Sequence, residues 1–331
     1  MKRFVILLLV FCAGTPLLAQ GNLGQSGANF LQIAVDPRGA SLGGALTALT
    51  NGAEALYWNP AGAAQVENTD LLLAHTDWFL DTKLAYGGIV HNLGQDLGSI
   101  GLSVTSFYMD DEEITTVFDQ DGTGEYYSAG DIAIGATYAR SLTSSFSFGV
   151  TVKYVQEFIW NETADQVAFD VGSVYKAEFL NIRLGMAIRN VAGKLSFSGD
   201  DIDRKIAEEK AISTDNNPRI ERLSKEFRLP QIFQMGVAFE PMQFESSTWL
   251  VMADVNVPSD NEQRITFATE YGLNNLAFLR AAYKMNYDIG EFSFGGGLAL
   301  GMFGAASRLD YAFAEHGVLG DVHRFALGIS L

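Results

Sequence analysis

The chain has 331 residues with 34 glycines, 7 prolines and one cysteine, and its formal net charge is −17. That acidic balance argues against nucleic acid as a partner, because phosphates would be repelled instead of neutralised. Length alone allows two soluble domains, but a single closed barrel can use the whole chain. Beyond the first twenty residues no apolar stretch reaches the ~18 residues of a transmembrane helix.

At the N-terminus Lys2 and Arg3 precede an apolar run from Phe4 to Ala13, which Thr15 and Pro16 break before the small residue of Leu17-Leu18-Ala19. This predicts a secretory signal peptide over residues 1–19, too short in its apolar part to span a bilayer. Cys12 follows Phe11, where a lipidation motif needs a small residue, so lipidation is not expected. Removing Lys2 and Arg3 takes the charge to −17 − 2 = −19 and leaves a chain without cysteine. Such a chain relies on hydrogen bonds and packing, with no disulfides. The acidity fits solubility of exposed loops, or a surface that recruits divalent cations.

Residues 20–68 do not alternate with period two. Pro37 to Thr50 is small and helix-compatible, and Gly52 to Tyr57 adds another helical turn. Trp58-Asn59-Pro60-Ala61-Gly62 then reads as a turn around a proline of fixed φ. In hydrocarbon its unpaired backbone groups would cost several kcal/mol each, so the segment belongs inside a lumen or in the periplasm.

From Thr69 onward the chain repeats about ten residues of alternation and then a turn. In the last repeat Phe325, Leu327, Ile329 and Leu331 share one face, and Arg324, Ala326, Gly328 and Ser330 the other. The same split recurs at Phe146–Tyr154 and Leu279–Tyr287. Segments fall at 69–79, 82–92, 98–109, 127–141, 145–156, 164–178, 180–197, 229–241, 247–257, 262–273, 276–288, 291–302, 305–315 and 321–331, which is fourteen. Their length matches a tilted membrane crossing, and an even number returns both ends to one side. Trp78, Tyr108, Tyr154, Trp249, Tyr271 and Tyr287 sit where interfacial girdles are expected. The two longest connections, 110–126 and 198–228, both follow odd strands and so share the outer side. The expected fold is an all-β transmembrane antiparallel barrel, with residues 20–68 as a small, partly helical plug and 69–331 as the wall.

Polar positions are weighed in turn. The face opposite the apolar one carries Asp131, Lys153, Asp170, Arg183, Arg189, Asp254, Arg264, Glu270, Arg280, Lys284, Arg308 and Asp310, whose mixed signs favour cross-strand ion pairs and plug contacts over a selective pore. Asp119, Asp121 and Glu125, with two glycines between them, form a weak candidate calcium loop; an acidic surface turn is the plainer reading. His75 and His323 lie on strands that a closed barrel makes neighbours, yet no nucleophile motif accompanies them, so no catalytic residue is assigned. The insertion at 198–228 is charged and places Ile202, Ile206, Ile220, Leu223 and Phe227 at helical spacing. Two short amphipathic helices are expected, covering the outer mouth as a lid or a partner surface.

The stretch GANFLQIAVDPRGASLGGALTALTNGAEALYWNPAGA, from Gly27 to Ala63, resembles the N-terminal signature of the PorV/PorQ family of outer-membrane proteins, relatives of the FadL-type barrels. The resemblance implies a fourteen-stranded barrel whose hatch carries the motif matched here by Asn59, Pro60 and Ala61. It departs at Val35-Asp36-Pro37-Arg38-Gly39, where the family pattern has an Asp-Ala-Arg-Ala run. It implies the outer membrane of a Gram-negative, Bacteroidetes-type bacterium and a non-enzymatic accessory role in type IX secretion, with secreted cargo or a translocon as partner. The alternative is FadL-like passage of a hydrophobic ligand through the lumen; lipid A deacylation ranks below both. No cofactor is implied, and outer-membrane lipid is the expected surrounding.

Overall fold

The structure is a computed structural model that describes residues 24–94, 96–178, 181–212, 225–242, 246–287, 290–302 and 305–331. The expected signal peptide lies outside these residues. Fourteen long strands follow in order: β1 (Thr69–Asp77), β2 (Lys83–Asn92), β3 (Ser99–Tyr108), β4 (Ala129–Ser141), β5 (Phe146–Ile159), β6 (Glu162–Lys176), β7 (Arg183–Ala192), β8 (Ile232–Phe239), β9 (Thr248–Pro258), β10 (Arg264–Leu273), β11 (Ala277–Met285), β12 (Phe292–Met302), β13 (Ala305–Glu315) and β14 (Asp321–Ser330). Each pairs antiparallel with its neighbours in sequence, and β14 returns to β1, so the sheet closes as an up-and-down barrel. The seam runs through Leu73 opposite Leu327, His75 opposite Phe325 and Asp77 opposite His323. Closure leaves no strand edge to be satisfied by another chain.

The period-two pattern decides which side chains face in. Phe325 is 52% exposed on the outer wall, while Arg324 and Ala326 on either side of it are buried in the lumen. Large apolar residues are exposed outward on thirteen of the fourteen long strands, among them Leu102, Ile134, Phe169, Phe267, Leu279 and Leu309, and on β9 the outward residues are half-buried. A continuous apolar exterior on a closed barrel is a surface that lipid, not water, covers. Connections at one end, 93–98, 142–145, 177–182 and 274–276, are short; those at the other include 109–128 and 193–231.

Two expectations need correction. The strand expected over 180–197 ends at Ala192, because Lys194–Leu195 leaves the wall and pairs with Phe227–Arg228 of the insertion. Tyr127 belongs to a small hairpin with Glu112 and Glu113, so the fourth strand begins at Ala129. Among the expected girdle residues, Tyr108, Tyr154, Trp249 and Tyr271 follow the outward face. Trp78 and Tyr287 do not. Trp78 continues the inward parity of Leu72, Ala74 and Thr76, and Tyr287 follows the positive φ of 61° at Asn286 that breaks the outward parity of β11. Their rings meet Arg324 at 5.3 Å and Arg264 at 4.7 Å. Cation–π attraction to lumen arginines holds both rings on the inner side.

Candidate functional site: the plug and the cavities it divides

Residues 24–68 run through the barrel from the long-loop end to the short-turn end. At the first, Gly24 N–H donates to Asp260 O at 3.2 Å and Gly27 N–H to Arg228 O at 3.0 Å. At the second, Asn92 Nδ2 donates to Val66 O at 2.8 Å. Between them lie α1 (Pro37–Ser41), α2 (Ala55–Trp58) and three short 3₁₀ turns. Asp36 caps α1 by accepting from Gly39 N–H at 2.7 Å, and Pro37 follows at the first helical position, where its missing N–H costs nothing. Leu42, Leu46, Leu49 and Trp58 pack on Ala238, Met252, Ala268 and Ala282 of the wall. Three alanines of the wall opposite large plug residues leave room for the plug inside.

The motif Trp58-Asn59-Pro60-Ala61-Gly62 is buried throughout. Asn59 is fully buried and all its side-chain bonds are used: Oδ1 accepts from Ala61 N–H at 3.2 Å, and Nδ2 donates to Thr47 O at 2.7 Å and Ser173 O at 3.1 Å. It caps the Pro60–Gln65 turn and ties two plug segments to β6. Trp58 Nε1 donates to Asp36 Oδ1 at 2.7 Å, closing the plug on itself. The wall approaches so closely that a Cβ on Gly172 would overlap Asn59 Oδ1, and one on Gly149 would meet Pro60. Exchanging Asn59→Ala together with Pro60→Gly removes the cap and both ties to backbone carbonyls. Buried bonds of this kind contribute about 1 kcal/mol each, so the plug should loosen by roughly 2–3 kcal/mol. Raised single-channel conductance with unchanged heat-modifiable gel mobility is the expected result; equal conductance would show that the motif holds no gate.

A balanced ion network fastens the other side. Arg38 of the plug is bidentate to Glu270 of β10, with Nε and Nη2 each at 3.0 Å, and also pairs with Glu54. Arg280 joins Glu270 at 2.5 Å and Asp310 at 2.6 Å, and Arg308 joins Asp310 at 2.6 Å and Glu54 at 3.5 Å. Three arginines thus face three carboxylates in a lumen region where an unpaired charge would be costly. Lys153 and Asp170 pair at 2.9 Å. Sequence reasoning assigned ion pairing to the wall residues of this set but missed Arg38 and Glu54. The available signal was Arg38, the one basic residue of residues 24–68, with Glu54 in the middle of a small and apolar stretch. Arg189 adds a further tie, stacking over Tyr57 at 4.6 Å and donating to its carbonyl at 3.0 Å.

The plug divides the interior. Near the long-loop end a cavity of about 530 Å³ is walled by Phe30 and Ile33 of the plug, Trp78 and Phe79 after β1, Phe107 of β3, and Phe197 and Phe227 of the insertion, together with the carboxylates Asp131 and Glu157. A polar chamber of about 130 Å³ lies between plug and β8–β14. A third space of about 460 Å³ opens beneath the ion network toward the short turns. Phe227 therefore reaches the cavity from a two-residue strand opposite Leu195, not from a helix as its spacing implied. Pairing with Leu195 supplies its backbone with partners that a second helix would have supplied internally. Ile202 and Ile206 are half-buried on α3 (Asp200–Ile212), whose first amides at Asp201 and Ile202 are capped by Glu162 at 3.0 and 3.2 Å. Ile220 and Leu223 lie outside the described residues.

The remaining candidates do not converge on a site. Asp119, Asp121 and Glu125 are exposed, and among the described residues no three acidic or imidazole side chains come together as metal ligands. His75 pairs with Asp77 at 3.2 Å and His323 with Tyr311 Oη at 2.9 Å, all exposed near the long-loop end of the β1–β14 seam.

The geometry defines a plugged fourteen-stranded barrel. Residues 18–154, covering the plug and the first strands, match the uncharacterised protein family UPF0164. The fold is similar to a FadL homologue of Pseudomonas aeruginosa, at 12% identity and a TM-score of 0.53 over 89% of this chain and 97% of that one. It is similar to the toluene transporter TodX of Pseudomonas putida, at 16% identity and 0.54 over 88% and 95%. The toluene transporter TbuX of Ralstonia pickettii gives 10% and 0.52 over 89% and 97%. No curated protein matches the chain.

Proposed function

We propose that the protein is a non-enzymatic outer-membrane channel of a Gram-negative bacterium that admits small hydrophobic molecules, with residues 24–68 as its gate. The observation that carries this reading is the aromatic cavity of about 530 Å³ at the long-loop end. Its size lies within the range of small-molecule sites, and its wall is shared by plug, strands and insertion. Long loops mark the outer side in such barrels, so the cavity is where a solute arriving from outside meets the plug. The toluene transporters among the similar folds support this reading over the accessory role in type IX secretion that the N-terminal signature implies. Under the accessory reading, α3 with Ile202 and Ile206 would be the surface for a secreted partner.

Ile33→Glu places a charge in the apolar wall from the plug side. Toluene binding to the purified protein, measured by equilibrium dialysis, should be saturable and should weaken at least tenfold in this variant, about 1.4 kcal/mol. Absence of binding to the wild type, with secreted proteins retained on the affinity-purified barrel, would reverse the order of the two readings.

A further inference from the structure

The polar chamber differs from the rest of the lumen in its charge. Arg189, Arg264, Lys284 and Arg324 line it with a single carboxylate, Asp254. Oδ2 of Asp254 accepts from Thr47 N–H at 3.1 Å, while its Oδ1, like Oε1 of Gln234 and Oδ1 of Asn256, has no hydrogen-bond partner among the described residues; Arg189 is committed to Tyr57. Arg264, Lys284 and Arg324 have no carboxylate within ion-pair distance among the described residues, although every base of the neighbouring network has one. Arg264 and Lys284 flank one ring, Tyr287, at 4.7 and 5.0 Å. Arg324 is 4% exposed, and its Nε and Nη1 have no hydrogen-bond partner; nor does Nε of Arg264. In the loop after β13, burial first, and then Arg324 and Lys284, push His316 below the ordinary histidine value.

Buried like charges repel, and guanidinium groups with free N–H donors are costly to leave unmatched. The molecule neutralises its arginines one for one beside Arg38 and leaves three cations together here. We infer that this chamber is a binding site for a compact oxyanion of the phosphate or sulfate type. Two guanidinium forks and an ammonium supply charge-assisted donors for such a group, and the amides of Gln234 and Asn256 complete a polar wall. At about 130 Å³ the space suits a compact, headgroup-sized anion, and its polar, cationic lining disfavours the apolar solutes that the aromatic cavity fits. The site is built from β8, β9, β10, β11 and β14 and shares no residue with that cavity.

Calorimetric titration of the purified barrel in nonionic detergent at low salt tests the site, with sodium phosphate and hexyl phosphate as separate probes. Saturable phosphate binding is expected, weakened at least tenfold by Lys284→Gln and by Arg264→Gln and unchanged by Lys194→Gln, which alters an exposed pair with Glu226. Binding of hexyl phosphate alone, lost in the same two variants, would assign the site to the headgroup of an amphiphile; binding of phosphate itself assigns it to the free anion. Heat-modifiable mobility identifies which variants have folded. No saturable binding of either probe, or binding that persists in both folded variants, overturns the inference.

Discussion

Exchanging Arg38→Met should turn a closed barrel into a leaky one. Arg38 ties the plug to the wall with two bonds of 3.0 Å to Glu270 and also pairs with Glu54 inside the plug. Removing one member of a buried ion pair typically costs about 3–5 kcal/mol, because the partner charge stays behind. Here Glu270 keeps Arg280 and Glu54 keeps Arg308 at 3.5 Å, which places the cost near the lower limit. About 3 kcal/mol shifts the docked-to-undocked ratio of the plug roughly a hundredfold. Planar-bilayer recording should show longer and larger openings, and cells should become sensitive to bulky antibiotics. Wild-type conductance from a barrel that still migrates as folded would remove the plug's role as a gate. Arg38→Lys is expected to recover part of the closure, since an ammonium keeps the charge but loses the bidentate geometry.

A second large effect is expected from Gly172→Leu. Gly172 lies on the inward face of β6, opposite Gly149, and a side chain there would enter the space of Asn59 and the Pro60 ring. Overpacking ordinarily costs about 1–3 kcal/mol when neighbours can shift. Asn59 has little freedom to shift, because it is bonded to Thr47 O and Ser173 O. The wall itself accepts leucine, since the strand backbone and its hydrogen bonds are unaffected by an inward side chain. The barrel should therefore assemble while the plug is expelled. Protease added to the purified protein should cut within residues 24–68 at least tenfold faster than in the wild type, leaving the barrel fragment intact. Equal cutting rates would mean that the close approach is not what holds the plug.

The closed barrel was legible in the residues because a strand exposes its two faces alternately, and lipid outside and charge inside demand opposite chemistry at period two. Phe325 beside Arg324, or Phe148 beside Ser147, states the direction of each side chain without any tertiary information. The parity of the long connections placed 110–126 and 198–228 on one side for the same local reason. The plug was legible only as a segment that does not alternate, with the Asn59-Pro60 turn marking its tightest point. Its partners were not. That Arg38 would find Glu270, 232 residues away, and that Arg264, Lys284 and Arg324 would be left facing one another, depend on how strands of one tilted sheet bring distant positions to one level. Phe227 shows the same limit. Its helical spacing is local, but the pairing with Leu195 that extends it and turns it into the aromatic cavity exists only once the insertion folds back over the mouth. Local periodicity determines which face a residue takes; the closure of the barrel around its plug decides which residue it meets.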